Sequence, residues 1–410
     1  MSVELLTSPE EFEEDGEHEK IEIEKKYQLI NPTFFDYLRQ EHDVQKIIQI
    51  YLSDPSEPYS LRLRKTITKK GITYTATLKD RGVVTPSGLR RTETPTVINE
   101  AVFDAYNNGG YATIYKERIE PVPGVSIDWI DKLKGGPILE IEEARNNDEA
   151  NLFYQMYQDQ LIDKSGHPET SNEAIAYAQS GLDASGLAER QHEPEDIAKE
   201  ILAFGRSGIK QMVVTIAGRS GSGKTTSIKA IKRLFTDMDI PVATLSTDDY
   251  HRGKTFLEQN YARPWTDWDA SVVYDTKALA FDIWQLQKGE TIEKRDFNFA
   301  TQEPTIDGFI APQDIILVEG IHAGSKDLDI VRRLHFEIDT PLATCIGRDL
   351  ARIRDGKRSS DSIGSTEARL RYQLEIAEPT YQTINKPGRN RWSACARPIG
   401  KSVLGQTVIN

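Results

Sequence analysis

The stretch "KIEIEKKYQ", residues 20–28, sets Glu22, Glu24 and Lys26 on one side of an extended chain and Ile21, Ile23 and Tyr27 on the other. Period two is the mark of a strand with one buried face, and a wet outer face would explain one such strand. Later stretches repeat the arrangement. Arg62 and Arg64 share a face opposite Leu61 and Leu63, and Thr75, Thr77 and Lys79 lie opposite Tyr74, Ala76 and Leu78. Arg91 and Glu93 alternate in "RRTET", Lys116 and Arg118 in "IYKERI", and Glu140 and Glu142 against Leu139 and Ile141. Lone surface ion pairs add little stability, so six strands that set charges two apart point to one shared polar space. The expected fold of residues 20–162 is a closed antiparallel β-tunnel, charged faces inward and apolar faces outward under helices.

Such a lumen gathers seven cations, Lys26, Arg62, Arg64, Lys79, Arg91, Lys116 and Arg118, and five acids, Glu22, Glu24, Glu93, Glu140 and Glu142. The cations suit a row of phosphates. The carboxylates are hard oxygen donors of the kind Mg²⁺ or Mn²⁺ takes, and a metal bridging phosphate to protein helps a water attack phosphorus. The pattern resembles the CYTH family, the triphosphate tunnel metalloenzymes. "EIEKK" (22–26) follows the family's E-x-E-x-K, and "RLR", "TLK", "RTE", "KER" and "EIE" follow in the family's order over about 20–145. The resemblance implies an eight-stranded tunnel that hydrolyses triphosphates, long polyphosphates or thiamine triphosphate; some members are adenylate cyclases. It implies metals at Glu22, Glu24, Glu140 and Glu142, phosphate contacts at Lys26, Arg62, Arg64, Lys79 and Arg118, and a catalytic part for Lys26. Pro95 stands where the family often has a second acid, and either Asp128 or Asp131 supplies the late acid.

From about residue 196 strands alternate with helices, the texture of a parallel α/β domain. "QMVVTIAG" is a continuous apolar run, as in a strand buried on both faces. It leads into "GRSGSGKT", Gly218 to Thr225, which fits G-x-x-x-x-G-K-[ST] and is followed by an amphipathic helix. Backbone N–H groups around Gly218, Ser220, Gly221, Ser222 and Gly223 can cradle phosphate oxygens, helped by the helix N-terminus that Thr226 joins. Lys224 supplies a point charge and the Thr225 hydroxyl a magnesium ligand. Asp248 and Asp249 in "LSTDDYH" end a strand, where a carboxylate can take the acceptor's proton. Glu319 ends "DIILVEG" and can hold Mg²⁺ directly or through water. Arg348, Arg352, Arg354 and Arg358 form a basic segment that can close over a triphosphate.

Together these residues resemble the uridine kinase family of P-loop kinases over roughly 210–385. The resemblance implies ATP as donor, Asp248 as general base, Glu319 as a magnesium residue and a lid with Arg348, Arg352 and Arg358. The nucleoside-binding segments depart from the family. "YARPWTDWD" has Ala262 at the first Asp position, with Asp267 or Asp269 available as the second, and "RDFNFATQ" keeps Asp296 and Phe297 but has Arg295, Ala300 and Gln302 in place of Tyr, His and Arg. A site without those polar groups discriminates weakly for a uracil or cytosine base.

The 410 residues carry a net charge of −13, which argues against broad nucleic-acid binding. No apolar run is long enough to span a bilayer, and the two cysteines, Cys345 and Cys395, suit a reducing cytoplasm. The expected order is an acidic leader (1–19), the tunnel (20–162), a linker (163–195) and the P-loop domain (196–410), whose tail after 386 lacks a closing strand. The partners expected are small phosphates and nucleotides, with no nucleic acid and no membrane. The leading expectation is a two-domain enzyme, a metal-dependent triphosphate or pyrophosphate hydrolase joined to an ATP-dependent phosphotransferase. The alternatives are a chain in which one half only senses nucleotide or polyphosphate, and a tunnel that acts as an adenylate cyclase.

Overall fold

The computed structural model describes residues 20–31, 33, 36–107, 110–133, 136–142, 148–182, 194–205, 211–332, 334–356 and 365–384. The leader, most of the later linker, Arg358 and the tail lie outside them. The N-terminal half runs β1 (Lys20–Leu29), α1 (Asp36–Glu41), β2 (Gln45–Tyr51), β3 (Tyr59–Thr68), β4 (Gly71–Asp80), β5 (Val83–Thr85), β6 (Gly88–Val97), α2 (Glu100–Asn107), β7 (Ala112–Val122), β8 (Val125–Ile130), β9 (Ile138–Glu142), α3 (Asp148–Tyr157), β10 (Leu161–Asp163) and α4 (Asn172–Ser180).

Eight of these strands close a ring in the order β1-β9-β8-β7-β2-β3-β4-β6, and β6 returns to β1. Closure depends on β1 having two partners. Its first half, Lys20 to Glu24, pairs with β6, and its second half, Glu24 to Gln28, pairs with β9. A tight hairpin joins β3 to β4 with Thr68 opposite Gly71, and φ of +142° at Gly71 suits a residue without Cβ. The chain from 161 to 180, most of it read from sequence as linker, belongs to the barrel. β10 pairs with β1, and Ile175 and Ala176 of α4 pack on Tyr51, Ala112, Ile114, Ile130 and Ile138. By strand parity those five side chains share the lumen side with Arg62, Lys116 and Glu140, so α4 covers one end of the tunnel.

The C-terminal half runs α5 (Pro194–Gly205), β11 (Met212–Gly218), α6 (Lys224–Thr236), β12 (Val242–Ser246), α7 (Lys254–Asn260), α8 (Thr276–Gln287), β13 (Ile292–Asn298), β14 (Glu303–Ile310), β15 (Ile315–Gly320), β16 (Leu334–Ile338), α9 (Leu342–Arg354), α10 (Thr366–Tyr372) and α11 (Glu378–Ile384). Its parallel sheet has the order β12-β15-β11-β16. Every residue of β11 is buried, which is why that strand reads as an unbroken apolar run.

The two halves share a core. Leu61 and Leu63 of β3 and Ala76 and Leu78 of β4 pack against Ala343, Ile346 and Leu350 of α9 and Leu370 of α10. The helices expected over the barrel's apolar face thus include two from the other half of the chain. Leu350→Ala, at a fully buried position, is expected to cost about 2–5 kcal/mol, read as a lower urea midpoint for the whole chain. An unchanged midpoint would show that this core does not hold the halves together.

Candidate functional site

The lumen is lined by ion pairs that the strand register sets up. Glu22 stands opposite Arg91, Lys26 opposite Glu140, Lys79 opposite Glu93 and Arg118 opposite Asp128. Lys79 Nζ lies 2.9 Å from Glu22 and 2.8 Å from Glu93. Arg91 donates to Glu22 at 2.6 Å and to Glu24 at 3.3 Å, and Lys26 Nζ meets Glu140 at 2.9 Å and Glu24 at 3.4 Å. Arg118 grips both oxygens of Asp128 at 2.6 Å and reaches Glu140 at 2.7 Å. Asp128 is therefore the inward acid that the sequence left open against Asp131, which is exposed. Glu142 faces Glu24 in register but is exposed at the end of β9.

Burial opposes charge throughout this network, and at Glu22 and Lys26 the opposite charges overcome it. Lys79 and Arg91 hold the Glu22 carboxyl well below the usual carboxylate range; Glu140 and Glu24 hold Lys26 above the usual lysine range. Burial and Arg118 push Lys116 down to about 7 even with Asp128 at 2.5 Å, because Asp128 is shared with Arg118. Arg64 is the exception. Its Nε and Nη2 donate to the neutral amide oxygen of Gln49 at 2.9 and 2.7 Å, in the amide orientation that satisfies both groups. Burial, then Arg62 and Arg118, push Arg64 down to about 9, still charged at neutral pH. Arg62 donates to Thr77 at 3.1 Å, and its Nε is buried with no hydrogen-bond partner. Among the described residues no group of three His, Cys, Asp or Glu side chains is placed to hold a metal. Of the four acids expected to hold metal, Glu22, Glu24 and Glu140 are engaged by cations.

The second site lies at the end of β11. Gly221 has φ of +80°, and a Cβ there would overlap the Cys345 carbonyl. Gly223 (φ 102°) caps α6. Lys224 Nζ donates to the Gly218 and Arg219 carbonyls at 2.8 Å. The Ser222 hydroxyl is buried without a partner. Thr225 Oγ1 donates to the Glu319 carboxylate at 2.9 and 3.1 Å, which brings together two hard oxygen donors beside the loop. That pair fits Mg²⁺, which takes one or two carboxylates together with substrate phosphates. Burial raises the Glu319 carboxyl, with Asp248 adding to the rise. Asp248 is exposed at the start of the turn after β12, and its charge reaches Lys224. Arg348 Nη1 stands 3.5 Å from the Gly221 carbonyl. Arg352, one turn further along α9, is exposed, as is Thr226 on α6.

Of the two candidate acids, Asp269 adds to the field at Lys224, whereas Asp267 accepts hydrogen bonds from Thr380 and from the Asp269 backbone. Arg295 turns away to Asp282 at 3.0 Å and over the Tyr250 ring. Beside Asp248 the sequence reading missed a ring cluster. His251 meets the edges of Tyr274 and Phe297 at 4.5 Å, and both of its ring nitrogens are buried without hydrogen bonds. Burial holds its pKa down to about 4, so it is neutral. The run of aromatics at 265, 268, 297 and 299 was the available signal.

Residues 213–365 match the model of the phosphoribulokinase / uridine kinase family. The C-terminal half is similar to the P-loop kinases of that family. The chain is 28% identical over 205 residues to the uridine kinase of Geobacillus kaustophilus, a match covering 49% of this chain and 90% of that enzyme. It is 27% identical over 181 residues to the uridine kinase of Chlamydia pneumoniae, covering 43% and 78%. The solved structure of the inorganic triphosphatase NE1496 overlaps 39% of this chain and 96% of its own, at 21% identity and a TM-score of 0.25. No helix among the described residues is long and apolar enough to cross a membrane.

A buried polar junction joins barrel and kinase-like domain. Glu57 accepts from the Asp54 backbone at 2.8 Å and from the Thr344 hydroxyl of α9 at 3.1 Å. Arg81 donates to the Glu57 carbonyl and pairs with Glu173 of α4. Burial pushes the Glu57 carboxyl up from 4.5 to about 7. The folded chain then keeps a proton that the unfolded chain releases, so Glu57's contribution to stability falls as pH rises from about 4.5 to 7. Glu57→Gln, which does not titrate, is expected to gain stability relative to the parent at pH 8 compared with pH 5, read from urea midpoints. An equal difference at both pH values would count against a raised Glu57.

Proposed function

We propose that the chain handles phosphates at two separate sites: the barrel grips and hydrolyses a short chain of phosphates, and the kinase-like domain transfers a phosphoryl group from ATP. The observation that carries the tunnel reading is Arg64. A desolvated guanidinium whose hydrogen-bond partner among the described residues is a neutral amide, beside Arg62 and Arg118, is costly unless an anion joins it. Among the described residues six lumen cations that stay fully charged, and Lys116 in part, face five inward acids, Glu22, Glu24, Glu93, Asp128 and Glu140, and the surplus favours a polyanion. A phosphate chain that takes Lys79, Arg91 and Arg118 also frees the carboxylates those residues hold.

At the loop, backbone N–H groups and Lys224 would hold the ATP phosphates, with Thr225 and Glu319 as magnesium ligands. Bound there, the metal supplies charge neutralisation on the transferring phosphate. Asp248, exposed beside the loop, would take the proton of an acceptor hydroxyl. Arg348 would add positive charge over the loop, where negative charge develops. With Arg295 turned to Asp282 and His251 neutral among rings, the acceptor side offers little to read the edge of a pyrimidine, so uridine is not the acceptor we favour. A tunnel that binds and does not hydrolyse is the second reading, favoured by the pairing of Glu22, Glu24 and Glu140 with cations.

Inorganic triphosphate with Mg²⁺ or Mn²⁺ should release orthophosphate, and Glu24→Ala should abolish that release while ATP binding persists. Binding without release at any metal concentration would favour the second reading; loss of ATP binding in the same variant would contradict separate sites. Lys224→Ala should weaken ATP binding at least about tenfold, as expected for a lost charge-assisted contact, and spare triphosphate release. Unchanged ATP affinity would count against the loop.

A further inference from the structure

We propose that the two sites are coupled through α9, so that a phosphate chain in the tunnel and a nucleotide on the loop strengthen each other's binding. The inference rests on both sites binding as proposed above. It starts from the position of α9 between them. On one side Ala343, Ile346 and Leu350 enter the core built by Leu61, Leu63, Ala76 and Leu78, and Gly347 has no Cβ because one would overlap the Tyr59 ring. On the other side the Cys345 carbonyl lies against Gly221, and Arg348 reaches the Gly221 carbonyl. One helix thus touches the barrel wall and the phosphate loop.

Two routes lead from the lumen to that helix. The first is β3, whose alternate residues face opposite ways. Arg62 and Arg64 face the lumen, and Leu61 and Leu63 pack with α9. Packed cores have little slack, so a shift of the strand is felt on its other face. The second is polar. Asn172 of α4 donates to Glu140 at 3.4 Å, its neighbour Glu173 pairs with Arg81, Arg81 donates to the Glu57 carbonyl, and Glu57 accepts from Thr344. The sign follows from charge. Arg62 and Arg118 both stand close enough to Arg64 to disfavour its charge; an anion beside Arg64 removes that repulsion and fixes β3. It thereby holds α9, and Arg348 with it, in the seat beside the loop. Ordering done by the first ligand need not be repeated for the second.

The test is calorimetric titration of ATP into the full chain with and without saturating inorganic triphosphate. We expect ATP affinity to rise at least about fivefold, and triphosphate affinity to rise by the same factor when ATP is present, as linkage requires. Arg64→Ala should abolish the rise. Gly347→Ala, which drives a methyl into Tyr59, should bring the factor toward one while triphosphate still binds, and Tyr59→Ala added to it should restore coupling. Should Gly347→Ala not fold, Thr344→Val, which removes only the Glu57 contact, should reduce the factor. The inference is overturned if both ligands bind with a factor of one. It is equally overturned if triphosphate weakens ATP binding in parent and Arg64→Ala alike, which is direct competition at the loop. Absence of any binding by either ligand would instead bring down the site readings on which it rests.

Discussion

Charge enclosed in a narrow space must be paired, and that constraint organises the N-terminal half. In a closed barrel each inward cation loses most of its water, so a neighbouring strand must present an acid within about 3 Å or the fold loses stability. The register does this strand by strand: Glu22 with Arg91, Lys26 with Glu140, Arg118 with Asp128. The pairing stops at Arg64, which has an amide for its partner. A barrel selected only for stability would put a carboxylate there or an apolar residue. A cation left to an amide in the middle of an otherwise paired lumen is what a site for an external anion requires.

How much of this was legible depended on the range of the interaction. Alternation within a strand is local, so Glu22, Glu24 and Lys26 announced an inward face. The phosphate loop is local as well: Gly218 to Thr225, the strand before and the helix after all lie within one stretch of chain. What depended on register was not legible. Asp128 and Asp131 could not be told apart because the sequence does not show that β8 ends at Ile130, which leaves Asp128 opposite Arg118 and Asp131 in the exposed turn beyond. Nor could sequence show that Glu24 ends one pairing of β1 and begins the other. Helix α4 is readable as a short helix in "NEAIAYAQ", capped by Ser171 through the Ala174 N–H, but its place on the barrel was hidden in a stretch rich in Gly, Ser and Pro. The shared core was invisible because Leu63 and Ile346 are far apart in sequence, and each reads equally well as part of its own domain.

The acceptor side of the kinase-like domain shows why substitutions within a motif need the structure. Arg295 stands where uridine kinases place a tyrosine. In the fold it is committed to Asp282 and stacked on Tyr250. His251, three residues after Asp248, is kept neutral by burial among Tyr274 and Phe297. The acceptor end is thus less charged than its sequence, and the loop end, with Lys224, Arg348 and the Thr225–Glu319 pair, carries the polar chemistry.

One short turn sets the register on which both sites depend. Lys69 and Lys70 join β3 to β4, with the Thr68 hydroxyl donating to the Gly71 carbonyl at 3.2 Å and accepting from the Lys70 N–H at 3.1 Å. Because side chains alternate strictly, slipping β3 by one residue would exchange its faces. Arg62 and Arg64 would then be driven into the leucine-rich contact with α9, and Leu61 and Leu63 into the charged lumen. Neither site could form in that register. The same alternation that makes the first nine residues of β1 readable as a lumen wall therefore makes β3 a two-sided part, and a change on either of its faces acts on both halves of the protein.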